Sequence, residues 1–544
     1  MDKIKLIAAV GFLMMVGQIF SQGTSDQLKY EVSEPFPVFD AFQKRYFTDL
    51  GRLLMVKNNG KELSLQLYDA RSLKQIGTTY LEEVSKYFVV EEIIKVKDQY
   101  LLFYSIWNRD DETEKLFYRV IDFETGLFVT DESREIIEVK GRLEGTRKQS
   151  GVYNFQVTEK FDFEKSSDGG KLLIKYKKKP EEDKGQPRFE QIGFFVFDDE
   201  VDLIWSKEIT MNYPMETMFT FDYSMDSVGR IYILARVFDE IFEEKRWKKE
   251  GVGIFHYEML VVTEGSDQLN KNVIGLSGYH ISDLYLFNSD DGKIRMAGTY
   301  NDGNGEVNNV DGVFVYVFDS SGVVIKKKRY EIPLEILNMY LNAKDKKKNL
   351  KKELEGSAEF KELKLKRLVQ FEDGGLLIVG EQDFSVLKIN YNSRSIGGSA
   401  YYEFRYNAIL ALRVDPEGNL LWMEKIPKKQ YGTKGKGGMS FQYGFNKTDG
   451  KHYFVFMDNV KNMDLSLEEE PAQHDDGAGG YFTAYKLDDE DGRISKLSIF
   501  NVRDMEDLDI SQFKADRVIQ ALDDAFIMEV YKKGKEDVLI RVDL

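Results

Sequence analysis

Short apolar runs, each entered through a tight polar turn, recur along the whole chain. Eight times a turn containing Asp, often Asp followed by Gly, leads at once into four mostly apolar residues. The turn aspartates are Asp49, Asp98, Asp168, Asp226, Asp291, Asp373, Asp449 and Asp523, and the runs behind them begin at Leu53, Leu101, Leu172, Ile231, Ile294, Leu376, Tyr453 and Phe526. The intervals between aspartates are 49, 70, 58, 65, 82, 76 and 74 residues. Self-similarity on this scale marks a repeat architecture.

A second repeated element follows each run. A strand ends in an aspartate, a tight turn follows, and another strand leaves. The clearest copies are Val317-Phe318-Asp319-Ser320-Ser321-Gly322-Val323 and Arg413-Val414-Asp415-Pro416-Glu417-Gly418-Asn419; others sit at Asp69, Asp122, Asp198 and Asp488. Asp at the first turn position can accept the backbone N–H two residues on, Pro416 presets φ, and Gly supplies positive φ. Two outgoing strands share one pattern: Leu203-Ile204-Trp205-Ser206-Lys207-Glu208-Ile209 and Leu420-Leu421-Trp422-Met423-Glu424-Lys425-Ile426. Each unit therefore reads as four antiparallel strands; in the sixth unit these are 363–371, 376–380, 408–414 and 419–426.

Four-stranded units arranged radially make a β-propeller. The expected fold is all-β, a single propeller of eight four-stranded blades; seven blades would require one unit to be spurious. The eighth unit offers only three strands, at 518–522, 526–531 and 538–542, whereas Leu28-Lys29-Tyr30-Glu31-Val32 precedes the first unit and belongs to none. The segment 28–32 is predicted to be the outer strand of the last blade, closing the ring and removing exposed strand edges.

Composition agrees. A length of 544 residues would suggest three or four domains, but repeated units share one architecture. With 38 Phe, 30 Tyr and only 9 Pro, the chain suits pleated, half-buried surfaces. The average repeat of about 68 residues exceeds the roughly 40–50 of compact propeller repeats, and the excess is expected in loops. The largest insertion, 335–366, is charged and predicted to be helical.

Residues 1–22 have the form of a secretory signal: Lys3 and Lys5, an apolar stretch from Leu6 to Phe20, then Ser21 and Gln22. The domain plan is thus a signal peptide at 1–22 and a propeller at 23–544. No cysteine is present, which excludes disulfides, thiolate metal sites and the lipid anchor of bacterial lipoproteins. The formal net charge of −17 argues against nucleic acid and anionic membranes as general partners. No direct membrane insertion is expected.

The chemistry is sparse. His256, His280, His452 and His474 lie at no metal-ligand spacing, and HExxH, GxSxG and phosphate-loop motifs are missing. No catalytic, cofactor-binding or metal residue is assigned, and no cofactor is expected. Asn301-Asp302-Gly303-Asn304-Gly305-Glu306 alternates oxygen ligands, but the positions that a calcium loop needs hold Val307 and Val313, so it reads as a hairpin tip. His474-Asp475-Asp476 reads as an exposed acidic loop. Trp205 and Trp422 are expected to pack between blades. The segment 344–352 carries six lysines, Lys344, Lys346, Lys347, Lys348, Lys351 and Lys352, a candidate docking site for an acidic partner against the plainer reading of a solvated loop.

The strand–DxxG–strand–Trp unit, as in Val414-Asp415-Pro416-Glu417-Gly418-Asn419-Leu420-Leu421-Trp422, resembles the blade repeats of secreted or periplasmic bacterial β-propellers of the kelch and WD40-like groups. The ending Phe20-Ser21-Gln22 resembles signals of bacteria that use type IX secretion. Cargo of that system normally carries a C-terminal sorting domain, whereas this sequence ends within a blade. The resemblance therefore implies a periplasmic or extracellular protein, with periplasmic residence favoured.

Three functions stay open. The first is a non-enzymatic cell-envelope platform for protein partners, for instance a periplasmic accessory of an outer-membrane or type IX secretion machine. The second is a propeller binding glycans or small ligands at its axial channel. The third is a hydrolase or lyase using Asp, Glu and Tyr there. Converging acids and aromatics in a deep pocket would favour the second or third; a narrow apolar channel would favour the first.

Overall fold

The computed structural model describes residues 28–544 except 61, 82–87, 150–154, 181–185, 239–254, 267–268, 276–278, 290, 304–305, 307, 391–398, 434–438, 467–468, 476–478, 503–504, 506–514 and 533. The predicted signal segment lies outside the described residues.

All eight turn aspartates lie in the turn between the first and second strands of a sheet, so the sequence pattern marks the inner hairpin of each blade. Blade 1 shows the plan: Gln43–Asp49, Arg52–Asn58, Leu63–Asp69 and Gln75–Leu81 pair antiparallel in that order. Its two middle strands are buried on both faces, which is why they read as nearly continuous apolar runs. The turn chemistry is as the sequence predicts. Asp226 Oδ1 accepts the N–H of Val228 (3.1 Å) and Arg230 (2.9 Å), Asp373 Oδ1 that of Gly375 (2.8 Å), and Asp319 Oδ1 that of Ser321 (2.9 Å).

Eight such sheets form the propeller. The later inner strands are Phe88–Val96, Phe161–Lys165, Met218–Met225, His280–Asn288, Leu363–Gln370, Gln442–Asn446 and Val518–Ala521. Apolar clusters fill the spaces between neighbouring blades. Trp205 of blade 3 packs with Ile231 and Ile233 of blade 4, and Trp422 of blade 6 with Phe454 and Leu487 of blade 7. Gly492 makes room for Trp422: at φ +70°, a Cβ there would stand 2.8 Å from the indole Cγ.

The ring closes as expected. Tyr30–Val32 pairs antiparallel with Glu536–Asp543 as the outer strand of blade 8, Tyr30 opposite Val542 and Val32 opposite Ile540. At the seam, Glu529 of blade 8 meets Lys57, Lys44 (2.8 Å) and the Tyr46 hydroxyl (2.6 Å) of blade 1. Burial would raise Glu529, but the two lysines outweigh it and hold the carboxyl below its usual range. Burial and the Glu529 charge push neighbouring Asp537 up.

Two elements depart from the plain four-stranded plan. In blade 6 the strands expected to stop at 380 and restart at 408 continue as Leu376–Asn390 and Ser399–Val414. The segment read as a loop is instead an arm, because Phe384, Val386, Tyr402 and Phe404 favour extended backbone. The insertion before blade 6 holds two helices, α1 (Leu334–Asn338) and α2 (Ala343–Leu354). Asn342 caps α2 by accepting the Asp345 N–H at 3.1 Å.

Candidate binding site at the axial mouth

In an up-and-down sheet the first and third turns fall at one end. Every aspartate turn therefore lies on one side of the ring, the turn face; the long loops, the arm and α2 occupy the other. On the turn face a cavity of about 1090 Å³ opens among blades 6, 7, 8 and 1. Its walls bear Phe371, Asp373 and Arg413 of blade 6, Tyr443, Phe445, Lys447 and Asp489 of blade 7, Gln520, Asp523 and Asp524 of blade 8, and Asp49, Arg52 and Arg71 of blade 1.

A chain of polar contacts sits in its wall. The buried Arg413 guanidinium donates through Nε to Asp489 (2.7 Å), through NH1 to the Val414 carbonyl (2.8 Å) and through NH2 to Asp373 (3.3 Å). It lies 4.0 Å over the Phe371 ring. His452 is wholly buried, with Nε2 2.9 Å from Asp489 and Nδ1 3.0 Å from the Tyr443 hydroxyl. Burial pushes the Asp489 carboxyl up, but hydrogen bonds and charge from His452 and Arg413 prevail and bring it to about 2. Burial likewise raises the Tyr443 hydroxyl. Phe371 meets Phe445 edge-on at 5.2 Å.

On the side of blades 3 to 5 the inner strands are tied to one another. Asn288 of blade 5 donates to Glu164 (2.9 Å) and to the Lys165 carbonyl (2.9 Å) of blade 3. Glu164 also accepts the Ser224 hydroxyl (2.6 Å) and the Met225 N–H (3.3 Å) of blade 4. Each donor is neutral, so burial dominates and lifts this carboxyl to about 7. The same join recurs around the ring: Asp222 accepts the N–H of Leu286 and Asp283 that of Leu365, both at 2.7 Å, and burial raises both acids.

The six lysines named from sequence stand far from the mouth, all within or at the start of α2. Lys344, Lys347, Lys348 and Lys351 are exposed; Lys346 and Lys352 are only partly so. Asn301 is buried, and its Nδ2 donates to Glu359 (2.6 Å) and to the Asn309 carbonyl (2.9 Å); residues 304, 305 and 307 of this loop lie outside the described residues. The expectation for His474 is corrected. It is buried and bridges Gln430 in a short parallel pairing; Asp476 lies outside the described residues. Among the described residues no group of three or more His, Asp or Glu is placed to hold a metal ion, and no helix is long and apolar enough to cross a membrane.

Motif reasoning missed Arg413, His452, Tyr443 and Asp489. A signal was present. Arg413 occupies the unit position held by Val317 in blade 5 and Val196 in blade 3, and His452 that of Leu376 and Ile294. His452 stands where the sister units carry apolar or aromatic residues, whereas Arg413 shares its position with Lys486 of blade 7 and Arg541 of blade 8; both reach Asp489.

No protein-family model and no curated protein matches the chain. Among solved structures it is similar to the WD40 domain of SCAP from fission yeast, at 9% identity over 96% of this chain and 98% of that chain, with a TM-score of 0.35. It is also similar to the Pyrococcus horikoshii acylaminoacyl peptidase, at 12% identity, 94% and 60% coverage and a TM-score of 0.35, and so spans about three fifths of that chain. The Penicillium chrysogenum alpha-L-arabinanase aligns at 11% identity over 64% of this chain and 94% of that chain, with a TM-score of 0.30. The fold is a β-propeller of eight blades, and these likenesses carry nothing about activity.

Proposed function

We propose that this propeller is a non-enzymatic, cell-envelope binding protein that acts as an interaction platform, with the axial mouth as its binding surface. One observation carries the reading. The mouth is wide and polar, yet its most reaction-capable side chain, His452, is wholly buried and spends both ring nitrogens on Asp489 and Tyr443. General acid–base work needs such a group within hydrogen-bond reach of substrate. Asp489, held near 2 by its partners, is equally committed. What faces the opening is rings, carboxylates and guanidinium groups, which serve recognition. By the criterion drawn from the sequence, these acids and rings weigh toward a ligand site or Asp/Glu/Tyr chemistry, and the platform reading rests on the burial of His452 alone. Periplasmic residence, and service to an outer-membrane or type IX secretion machine, rest on the signal-like segment and the repeat resemblance alone.

A second reading, glycan or small-ligand binding, is favoured by Phe371, Phe445 and Tyr443 standing among charged side chains in one cavity. Rings offer an apolar face and the carboxylates accept hydroxyl hydrogens. Affinity purification from the native envelope with mass spectrometry, using wild type and Phe371→Ala/Phe445→Ala, tests the platform. A protein recovered by wild type and lost by the variant supports it; identical partner sets count against the mouth. Saturable fluorescence change on titration with soluble oligosaccharides, without a protein partner, would favour the second reading.

A further inference from the structure

Helix α2 is an outlier in composition: lysine-rich on a protein of net charge −17. Its setting is firm. Helix α1 buries Ile336 and Leu337 against blade 6. The buried Lys425 ammonium donates to the carbonyls of Leu337 (3.0 Å) and Met339 (2.9 Å), the end of α1. Asn349 of α2 donates to Asn338 of α1 at 3.0 Å. Beyond α2, Ser357 N–H bonds the Lys352 carbonyl at 2.8 Å, and Phe360 and Val310 exchange both backbone hydrogen bonds at 2.8 Å. The helix is thus clamped at both ends, and its outward face is displayed rather than merely loose.

That face has an order of its own. At 3.6 residues per turn, Lys344, Lys347, Lys348 and Lys351 share one arc, and Leu350 and Leu354, one turn apart, run along its edge. Leu350 is 51% exposed and Leu354 83%. Asp345, Asn349, Lys346 and Lys352 lie on the side turned toward the protein. Lys351 pairs with Glu355 at 3.7 Å, a weak pair since both side chains are exposed. The other lysines of the stripe repel and bare leucines are left in water, so the stripe contributes little to this fold. A partner surface with carboxylates beside apolar side chains would offset both.

We propose that the outward stripe of α2 is a docking surface for an acidic amphipathic helix of a protein partner. Charge complementarity selects the chemistry, and the leucine edge selects an amphipathic occupant over a purely acidic one. A broad anionic lipid surface fits less well, since it would also meet the acidic remainder of the molecule. This surface is separate from the axial mouth and does not depend on the reading of it.

The test is fluorescence anisotropy of a labelled, 18-residue Glu/Leu amphipathic helical peptide against the full chain. Wild type should bind it saturably, and raising salt from about 50 to 300 mM should weaken binding steeply, because exposed charges are screened within about 8 Å. Replacing Lys344, Lys347, Lys348 and Lys351 with Gln should weaken binding about tenfold or more. Leu350→Gln/Leu354→Gln should weaken it about threefold, and Lys346→Gln/Lys352→Gln should stay within about twofold. Circular dichroism and melting checks folding of each variant. No saturable binding by wild type, or equal binding by the four-lysine variant, overturns the proposal. So does flotation with phosphatidylcholine/phosphatidylglycerol vesicles in the absence of peptide binding, which would assign the stripe to lipid.

Discussion

Blades 3 to 5 and blades 6, 7, 8 and 1 build the same axis with opposite chemistry. On the first side, inner strands meet through carboxylates that accept neutral donors, and Glu164 ties three blades together. On the second, side-chain amides bridge the strands: Gln520 exchanges hydrogen bonds with the backbone of Phe445 (3.0 and 2.7 Å), and Gln442 reaches the Ala515 carbonyl (2.6 Å). The acid in the cavity wall here, partly buried Asp489, faces a guanidinium and an imidazole. The two carboxylates are displaced in opposite directions, Glu164 up to about 7 and Asp489 down to about 2. Burial pushes both up; the charge of the partner decides which way each finally moves.

The strongest way to break this comparison is to open the ring. Deleting residues 23–34 removes the strand on Glu536–Asp543 and bares an edge within the open half. The melting temperature should fall further than for any point variant below; an unchanged value would contradict closure by this strand.

Next comes Arg413→Ala, which strips Asp489 and Asp373 of a buried counter-charge and Phe371 of its stacking partner. Breaking a fully buried pair from one side costs about 3–5 kcal/mol. Asp489 and Asp373 keep 27% and 56% side-chain exposure, so a loss of about 2–3 kcal/mol is expected by urea denaturation at pH 7. A loss below about 1 kcal/mol would show that the Asp489 cluster is solvated rather than built in.

Glu164→Gln sharpens the contrast through pH. The folded carboxyl titrates near 7 instead of its ordinary 4.5. Its contribution is therefore full below about pH 4.5 and is lost as pH rises through about 7. Gln keeps an acceptor and cannot ionise. The variant should gain on the order of 2–3 kcal/mol over wild type at pH 8 and little at pH 4, flattening the profile between. Asp489 has the reverse sign, its contribution present at neutral pH and lost as pH falls through about 2. Equal pH profiles for wild type and Glu164→Gln would remove the distinction between the halves.

The smallest effect belongs to Tyr443→Phe, which removes one hydrogen bond to His452 and leaves both rings in place. A loss of about 1 kcal/mol is expected, with the pH profile otherwise unchanged.

Much of this architecture is legible in the chain because its signals are local. An aspartate that accepts a backbone N–H two residues on makes its own turn wherever it sits, so Asp226, Asp319 and Asp373 mark hairpins without help from the rest of the molecule. The orphan strand before blade 1 is legible by subtraction. The arm of blade 6 is not: strand and extended loop share one residue preference there, and pairing over Phe384–Arg405 decides. The Arg413–Asp489–His452 cluster was missed for another reason. Its members lie 39 and 37 residues apart in the chain and meet only when blades 6 and 7 pack. The trace is a single break in the repeat, His452 where sister units are apolar or aromatic. Glu164 leaves no trace, since a lone glutamate on a strand looks like any solvent-facing one.

The pairing of Tyr30–Val32 with Glu536–Asp543 also sets a timetable. An early strand waits for one made some five hundred residues later. Bringing such distant segments together costs loop-closure entropy and slows the final step. Until then, the buried lysine Lys57 lacks Glu529 and the outer edge of blade 8 lacks its cover. A folding intermediate with this seam still open would present a bare edge and an unpaired ammonium, both readable by a protease or chaperone.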